Sequence, residues 1–155
     1  MAVNIEEEYD KIYRYCYFRL RGRELAEDVT QETFLRYFSS YRHNDSLSMR
    51  KCLYTIARNL CIDEYRRDGK RERDHYDGQP FTASAEEQVI TSLAVQAALS
   101  RMEAEEQELL LLRYVNEVPL AVIGQLYGIS RFAVSRRLFA VKGKFREELR
   151  KEGEF

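Results

Sequence analysis

Three features of the sequence predict an all-α protein: two small helical domains joined by a flexible linker, the second containing a helix-turn-helix. Apolar residues recur at spacings of three and four along most of the chain, as they do when one face of a helix is buried. Seven glycines and two prolines in 155 residues supply too little turn chemistry for a many-stranded sheet, and no strand-like alternation competes. A polar stretch, GKRERDHYDGQPFTAS, interrupts the periodicity between two helical halves; with two glycines, one proline and little apolar pattern it reads as a linker. The predicted domains are 1–68 and 84–155, with the linker at 69–83.

The elements follow in order. Ile5, Tyr9, Ile12, Cys16 and Leu20 predict a first helix through about residue 20, interrupted by Gly22. Ala26, Val29, Thr33 and Tyr37 line one side of a second helix, roughly 24–40. After the polar loop RHNDS, a third helix over about 48–68 carries Leu53, Ile56, Ala57 and Leu60 as its inner stripe, with Asp63 and Arg67 placed for an i,i+4 pair. Past the linker, Ser84 with Glu87 forms a capping-box pattern opening a helix whose face is Val89, Leu93 and Ala97. Ser100 with Glu103 repeats the box before EEQELLLLRYV, and Pro119 suits the first turn of the next helix. The last helix begins after Ser130 and buries Val134, Leu138, Val141, Phe145 and Leu149.

Composition narrows the function classes. No run approaches the ~18 apolar residues of a membrane span, and the start MAVNIEEEYD lacks the basic-then-apolar order of a signal peptide. Three cysteines, Cys16, Cys52 and Cys61, form no CxxC pair, so neither a disulfide framework nor a structural zinc site is expected and a reducing cytoplasm fits best. The two histidines, His43 and His75, fall in predicted loops without metal-ligand companions, and neither a Gly-rich phosphate loop nor a nucleophile elbow is present. No cofactor, metal or catalytic residue is therefore expected, and the chain reads as a binding protein and not an enzyme. The net charge of −1 hides an asymmetry: residues 74–117 hold two basic and nine acidic side chains, residues 118–151 eight basic and two acidic. Such a C-terminal surface suits a polyanion, although a solvated charged helix has the same composition.

The segment PLAVIGQLYGISRFAVSRR, residues 119–137, has helix-turn-helix spacing. Ile123 and Leu126 bury the first helix, Gly124 permits close approach, Gly128 takes the left-handed turn, Ile129 fills the corner and Ser130 caps the second helix. The outer face then presents Arg131, Phe132, Ser135, Arg136 and Phe139. Arginine can bind guanine bidentately, serine can donate or accept, and a ring can touch a thymine methyl. Lys142, Lys144, Arg146, Arg150 and Lys151 follow as candidate phosphate contacts, and Arg137, nearer the buried stripe, also suits phosphate. A plain helical hairpin with a basic face, Phe132 packed on a neighbour, is the alternative; turn, cap and charge together favour duplex DNA.

In the N-terminal half, Asp28, Gln31, Glu32 and Leu35 fall opposite the buried stripe of the second helix, a pattern closer to a protein-docking patch than to inert surface. The third helix interleaves Tyr54 and Tyr65 with Arg58, Asn59, Arg66 and Arg67. Rings among cations can stack exposed bases and hold a separated strand, or else form the edge of an aromatic core.

AEDVTQETFLRYF, then LYTIARNLCIDEYRR, then a linker, then EQELLLLRYVNEVPLAVIGQLYGISRFAVSRRLFAVKGKF resembles, in that order and over nearly the whole chain, a small bacterial RNA polymerase sigma factor of the extracytoplasmic-function (ECF) group. The resemblance implies a first domain that clamps the β′ coiled coil of core RNA polymerase and opens promoter DNA, and a second that reads the upstream element. By position, Asp28, Gln31, Glu32 and Leu35 match the polymerase-docking segment. Arg58, Asn59, Tyr65, Arg66 and Arg67 match the segment engaging the opened start-proximal element, and Ser135, Arg136, Arg137 and Phe139 the upstream-reading helix. Members are commonly held by an anti-sigma protein, though no residue here identifies one. The chain departs from the pattern at Met49 and Cys52, where an aromatic pair is usual, at Glu103, where proline is common, and at Ser135 and Ala140, where a basic residue is frequent; these changes bear on base preference more than on fold. Without the resemblance, a dimeric helix-turn-helix regulator or a helical adaptor would also fit.

Overall fold

The computed structural model describes residues 4–42, 45–68 and 93–153, and every described element is helical. The helices are α1 (Ile5–Leu20), α2 (Arg23–Ser40), α3 (Ser46–Asp68), α4 (Leu93–Ser100), α5 (Ala104–Leu110), α6 (Leu120–Tyr127) and α7 (Arg131–Lys151), with a π-helical turn at Leu111–Val115 continuing α5. They group into two compact units, one holding α1–α3, the other α4, α5, the body of α6, and α7. The predicted linker, the capping box at Ser84 and Glu87, Val89, and both histidines lie outside the described residues.

In the first unit each of the three helices packs on the other two. Asn4 caps α1 through a bond from the Glu7 N–H (3.2 Å), and Glu6, Glu7 and Glu8 complement the helix dipole. The break before α2 is made by Arg21, the residue that turns left-handed (φ 62°), while Gly22 is extended and serves as N-cap of α2. Ile12, Tyr15, Cys16, Ala26, Leu53, Ala57 and Cys61 are fully buried. Thr30 and Thr33 are buried as well, their hydroxyls donating to the carbonyls of Ala26 and Val29 (2.7 Å each), so neither leaves an unsatisfied donor in the core. Three expectations need correction. Tyr54 is a core residue, 1% exposed and edge-on to Tyr15 at 5.7 Å, so it offers no ring to a nucleic acid. Ile5, the first residue of α1, is exposed. Arg67 pairs with Glu64 at i,i+3 (3.2 Å) in place of Asp63.

The second unit has its own core, with Leu109, Leu112, Val118, Val122, Ile123 and Val134 at its centre. The chain passes from α5 to α6 through the π-helical turn. There the Asn116 N–H donates to the Leu111 carbonyl (3.0 Å), Glu117 turns left-handed (φ 54°), and the Arg113 guanidinium donates to the Val118 carbonyl (3.1 Å). The capping box before α5 forms three residues later than expected. Glu103 is the N-cap and Glu106 its partner, while the Ser100 hydroxyl donates back to the Ala97 carbonyl. Leu93, expected on the inner face of α4, is exposed. In α7, Val134, Leu138 and Val141 are buried as the spacing requires, but Phe145 and Leu149 are only half-buried and Glu148 is buried instead.

Candidate nucleic-acid interface

The turn between α6 and α7 is fixed by backbone contact. Gly128 adopts φ 71°, the left-handed conformation glycine takes without steric cost. The Ile129 N–H donates to the Gly124 carbonyl (2.9 Å), and a Cβ on Gly124 would lie 2.6 Å from the Ile129 carbonyl oxygen. The Ser130 hydroxyl accepts from the Ala133 N–H (3.1 Å), capping α7. With Val134, Leu138 and Val141 buried, the opposite side of α7 is forced outward.

That side carries the residues anticipated for duplex recognition. Arg131, Phe132, Ser135, Arg136, Arg137 and Phe139 are all exposed, Phe132 to 64% and Phe139 to 83%. Rings so open to solvent contribute nothing to the core. The Arg131 guanidinium lies 5.3 Å from the Phe132 ring centroid, so cation and ring form one surface at the start of the helix. Arg137 differs from its neighbours, because its guanidinium donates to the Glu105 carboxylate of α5 (3.1 Å). One residue further along α5 and two turns further along α7, the Lys144 ammonium donates to both Glu106 oxygens (3.0 and 3.2 Å).

A charge network anchors the far end of α7. Arg101 bonds the Glu148 carboxylate (2.5 Å), the Glu148 carbonyl (3.0 Å) and the Glu152 carboxylate (2.7 Å), and Lys151 adds a bond to Glu148 (3.0 Å). The hydrogen bonds from Arg101, then from Lys151, hold the Glu148 carboxyl below the ordinary glutamate value. Burial pushes the Glu106 carboxyl upward, but the Glu103 N–H and the Lys144 ammonium outweigh it and leave it lowered; Glu106 in turn holds Lys144 above the ordinary lysine value.

In the first unit, Asp28, Gln31 and Leu35 are exposed on one side of α2, and Glu32 is half-exposed and bonded to Arg36 (2.7 Å). Leu35 is 64% exposed, and Phe38 (51%) extends its apolar line. Phe38 was missed in the sequence, although its i,i+3 spacing from Leu35 is the signal that finds it. On α3, Asn59, Arg66 and Arg67 are exposed, and Arg58 and Tyr65 half-buried. The Arg19 guanidinium lies over the Tyr65 ring at 5.4 Å, so this tyrosine is positioned from α1. Among the described residues no cluster of His, Cys, Asp and Glu could hold a metal ion, and no helix is long and apolar enough to cross a membrane.

Comparison with known proteins places both units. Residues 5–71 match the family model for Sigma-70 region 2, and residues 98–146 that for Sigma-70, region 4. The chain is 31% identical over 137 residues to the ECF RNA polymerase sigma factor BldN of Streptomyces coelicolor, a match covering 81% of this chain but only 51% of that protein. It is 30% identical over 154 residues to the ECF sigma factor SigL of Mycobacterium tuberculosis, covering 92% of this chain and 85% of that one. In fold it is similar to the sigma factor RpoE of Bartonella quintana, crystallised with the anti-sigma factor NepR, with a TM-score of 0.67 at 19% identity, covering 94% of this chain and 96% of that one. An N-terminal region 2 match, a C-terminal region 4 match and 30% identity to SigL over most of both chains converge on one conclusion: this chain belongs to the ECF group of RNA polymerase sigma factors, the promoter-directing proteins of bacterial transcription.

Proposed function

We propose that the chain is a dissociable specificity subunit that binds core RNA polymerase, reads an upstream (−35) promoter element with α7 and opens a start-proximal (−10) element with α3. The observation that carries this reading is the two-sidedness of α7: Val134, Leu138 and Val141 are buried while Phe132, Ser135, Arg136 and Phe139 stand in solvent. A helix held by its inner face and offering arginine, hydroxyl and ring on its outer face has the chemistry of a major-groove reader.

In this proposal the working domains are 1–68 and 84–155, and 69–83 is a tether that lets both engage one promoter with a gain in effective concentration. Arg131, Phe132, Ser135, Arg136 and Phe139 contact base edges, each good bidentate pair discriminating by about 1–3 kcal/mol, and Arg137 contacts phosphate. Arg58, Asn59, Tyr65, Arg66 and Arg67 hold bases and backbone of the separated strand. Since extruding a base costs a few kcal/mol, their binding energy shifts the duplex toward the open state. Asp28, Gln31, Glu32 and Leu35, with Phe38, form the patch that docks on the β′ coiled coil. The protein supplies binding energy and the polymerase the chemistry, so no cofactor is called for. It works in the cytoplasm, where polymerase and promoter are, and an anti-sigma protein is the further partner that family membership suggests.

The test is transcription in vitro by core RNA polymerase, with and without the purified chain, across a random promoter library. Polymerase-dependent initiation at a defined promoter class supports the proposal. Tight operator binding without polymerase would replace it with a helix-turn-helix regulator, and no effect on DNA in either format with a helical adaptor.

A further inference from the structure

We infer that Glu105 is an internal stand-in for DNA phosphate: in the free protein its carboxylate occupies the Arg137 guanidinium, and on binding the arginine exchanges it for the duplex backbone. The consequence is a brake on affinity for duplex DNA of any sequence. The inference rests on the reading of α7 as the groove helix.

Two ion pairs join α5 to α7, and they are built differently. Lys144 donates to both oxygens of Glu106, which also accepts the Glu103 N–H in the capping box (2.9 Å), and the Glu106 side chain is 22% exposed. That carboxylate is part of the helix start and stays where it is. Arg137 makes one bond to Glu105 at 3.1 Å, between side chains 47% and 56% exposed. An exposed pair held by one bond is weak, because water screens it and two long side chains must be ordered to keep it.

Each partner also has an alternative. Glu105 lies in the first turn of α5, where the positive helix end favours a carboxylate once the arginine has left. Arg137 follows Arg136 and sits at the flank of the exposed face, the position from which an arginine reaches phosphate while its neighbour reaches bases. A phosphate offers the guanidinium a charge-assisted, bidentate partner in place of a single bond. Sequence selectivity then stays with Arg136 and the exposed rings, and Glu105 sets the general affinity.

The experiment measures binding of the full chain to a random-sequence fluorescent duplex by anisotropy, from low to high KCl. Glu105→Gln is expected to tighten binding about 1.5- to 5-fold at low KCl, the strength of the exposed pair that the parent chain must break before Arg137 reaches the phosphate, and the gain should fade at high KCl as salt screens that pair. Arg137→Gln should remove most of that gain when combined with Glu105→Gln. An unchanged Kd for Glu105→Gln at low KCl overturns the inference, as does an equal gain with Arg137 absent, which would mean simple repulsion and no exchange. Arg136→Gln separates the two levels. If it weakens binding while Glu105→Gln changes nothing, only the exchange fails. If it too changes nothing, α7 is not on the DNA, and the reading fails along with the inference. Thermal midpoints matching the parent chain establish that these exposed substitutions leave the fold intact.

Discussion

Gly124→Ala tests the geometry on which the recognition hairpin depends. A Cβ at this position would stand 2.6 Å from the Ile129 carbonyl oxygen and 3.4 Å from both the Arg131 nitrogen and the Ser130 carbonyl carbon. All three are backbone atoms of the turn, which the Ile129-to-Gly124 hydrogen bond (2.9 Å) and the Ser130 cap hold in place. No side chain can swing away, so the overlap is relieved only by moving the turn. Overpacking of this kind costs about 1–3 kcal/mol, and a backbone obstacle puts it at the upper end. Alanine returns about 0.8–1.0 kcal/mol of helix propensity, leaving a net loss of ~2 kcal/mol. Gly143→Ala is the matched reference: it sits inside α7 with nothing within 4 Å of its Cβ position, so it should gain about 0.5–1 kcal/mol. Urea titrations followed by circular dichroism should move in opposite directions for the two variants, and Gly124→Ala should lose upstream-element binding as well. If Gly124→Ala unfolds at the same urea concentration as the parent chain, the close approach of α6 to the turn is not what sets the angle of α7.

Three further outcomes follow from the same structure. Leu35→Asp should weaken co-elution with core RNA polymerase by 2 kcal/mol or more, roughly 30-fold, if the residue is a docking hot spot. Because Leu35 is 64% exposed, the thermal midpoint should hardly move; unchanged co-elution removes the docking proposal. Arg136→Ala should cost about 1–3 kcal/mol at the upstream element and relax preference at one base pair, leaving polymerase affinity alone, and an unaltered promoter profile would show that Arg136 reads nothing. The third outcome concerns pH. Glu148 has a lower carboxyl value folded than its ordinary 4.5, so the unfolded chain binds the proton first as pH falls. The stability Glu148 contributes is fully present above about 4.5 and is lost as pH drops toward its lowered folded value. Glu148→Gln should flatten that acid limb in a series of thermal midpoints from pH 6 to 3, and a limb identical to the parent's would sink the assignment.

Several parts of this molecule were legible in the sequence for identifiable reasons. Ala26, Val29, Thr33 and Tyr37 follow helical spacing, and all four are buried in α2. Gly128 and Ser130 stand where a left-handed turn and a cap are needed, and both do those jobs. Errors arose where spacing could not tell a core aromatic from a surface one. Tyr54 and Tyr65 lie on the same helix among the same cations, yet Tyr54 meets Tyr15 in the core while Tyr65 lies at the edge beneath Arg19. The capping box failed for a related reason: Ser100 is the better intrinsic cap, but the Glu103–Glu106 pair with Lys144 behind it sets the start of α5.

The sequence by itself determined the helical class, the order of the two units, the helix-turn-helix and the outward residues of α2 and α7. Each of these follows from local periodicity, backbone permissiveness and capping, which act over a few residues. Only the tertiary structure decided which charges are committed and which are available. Arg137 and Arg136 are adjacent and chemically identical in the sequence, but Glu105, 32 residues away, bonds one of them. Glu148, which the pattern marks as solvent, is buried because Arg101 reaches it from the end of α4. Such pairings depend on distances between helices, and those are set by packing of the whole core.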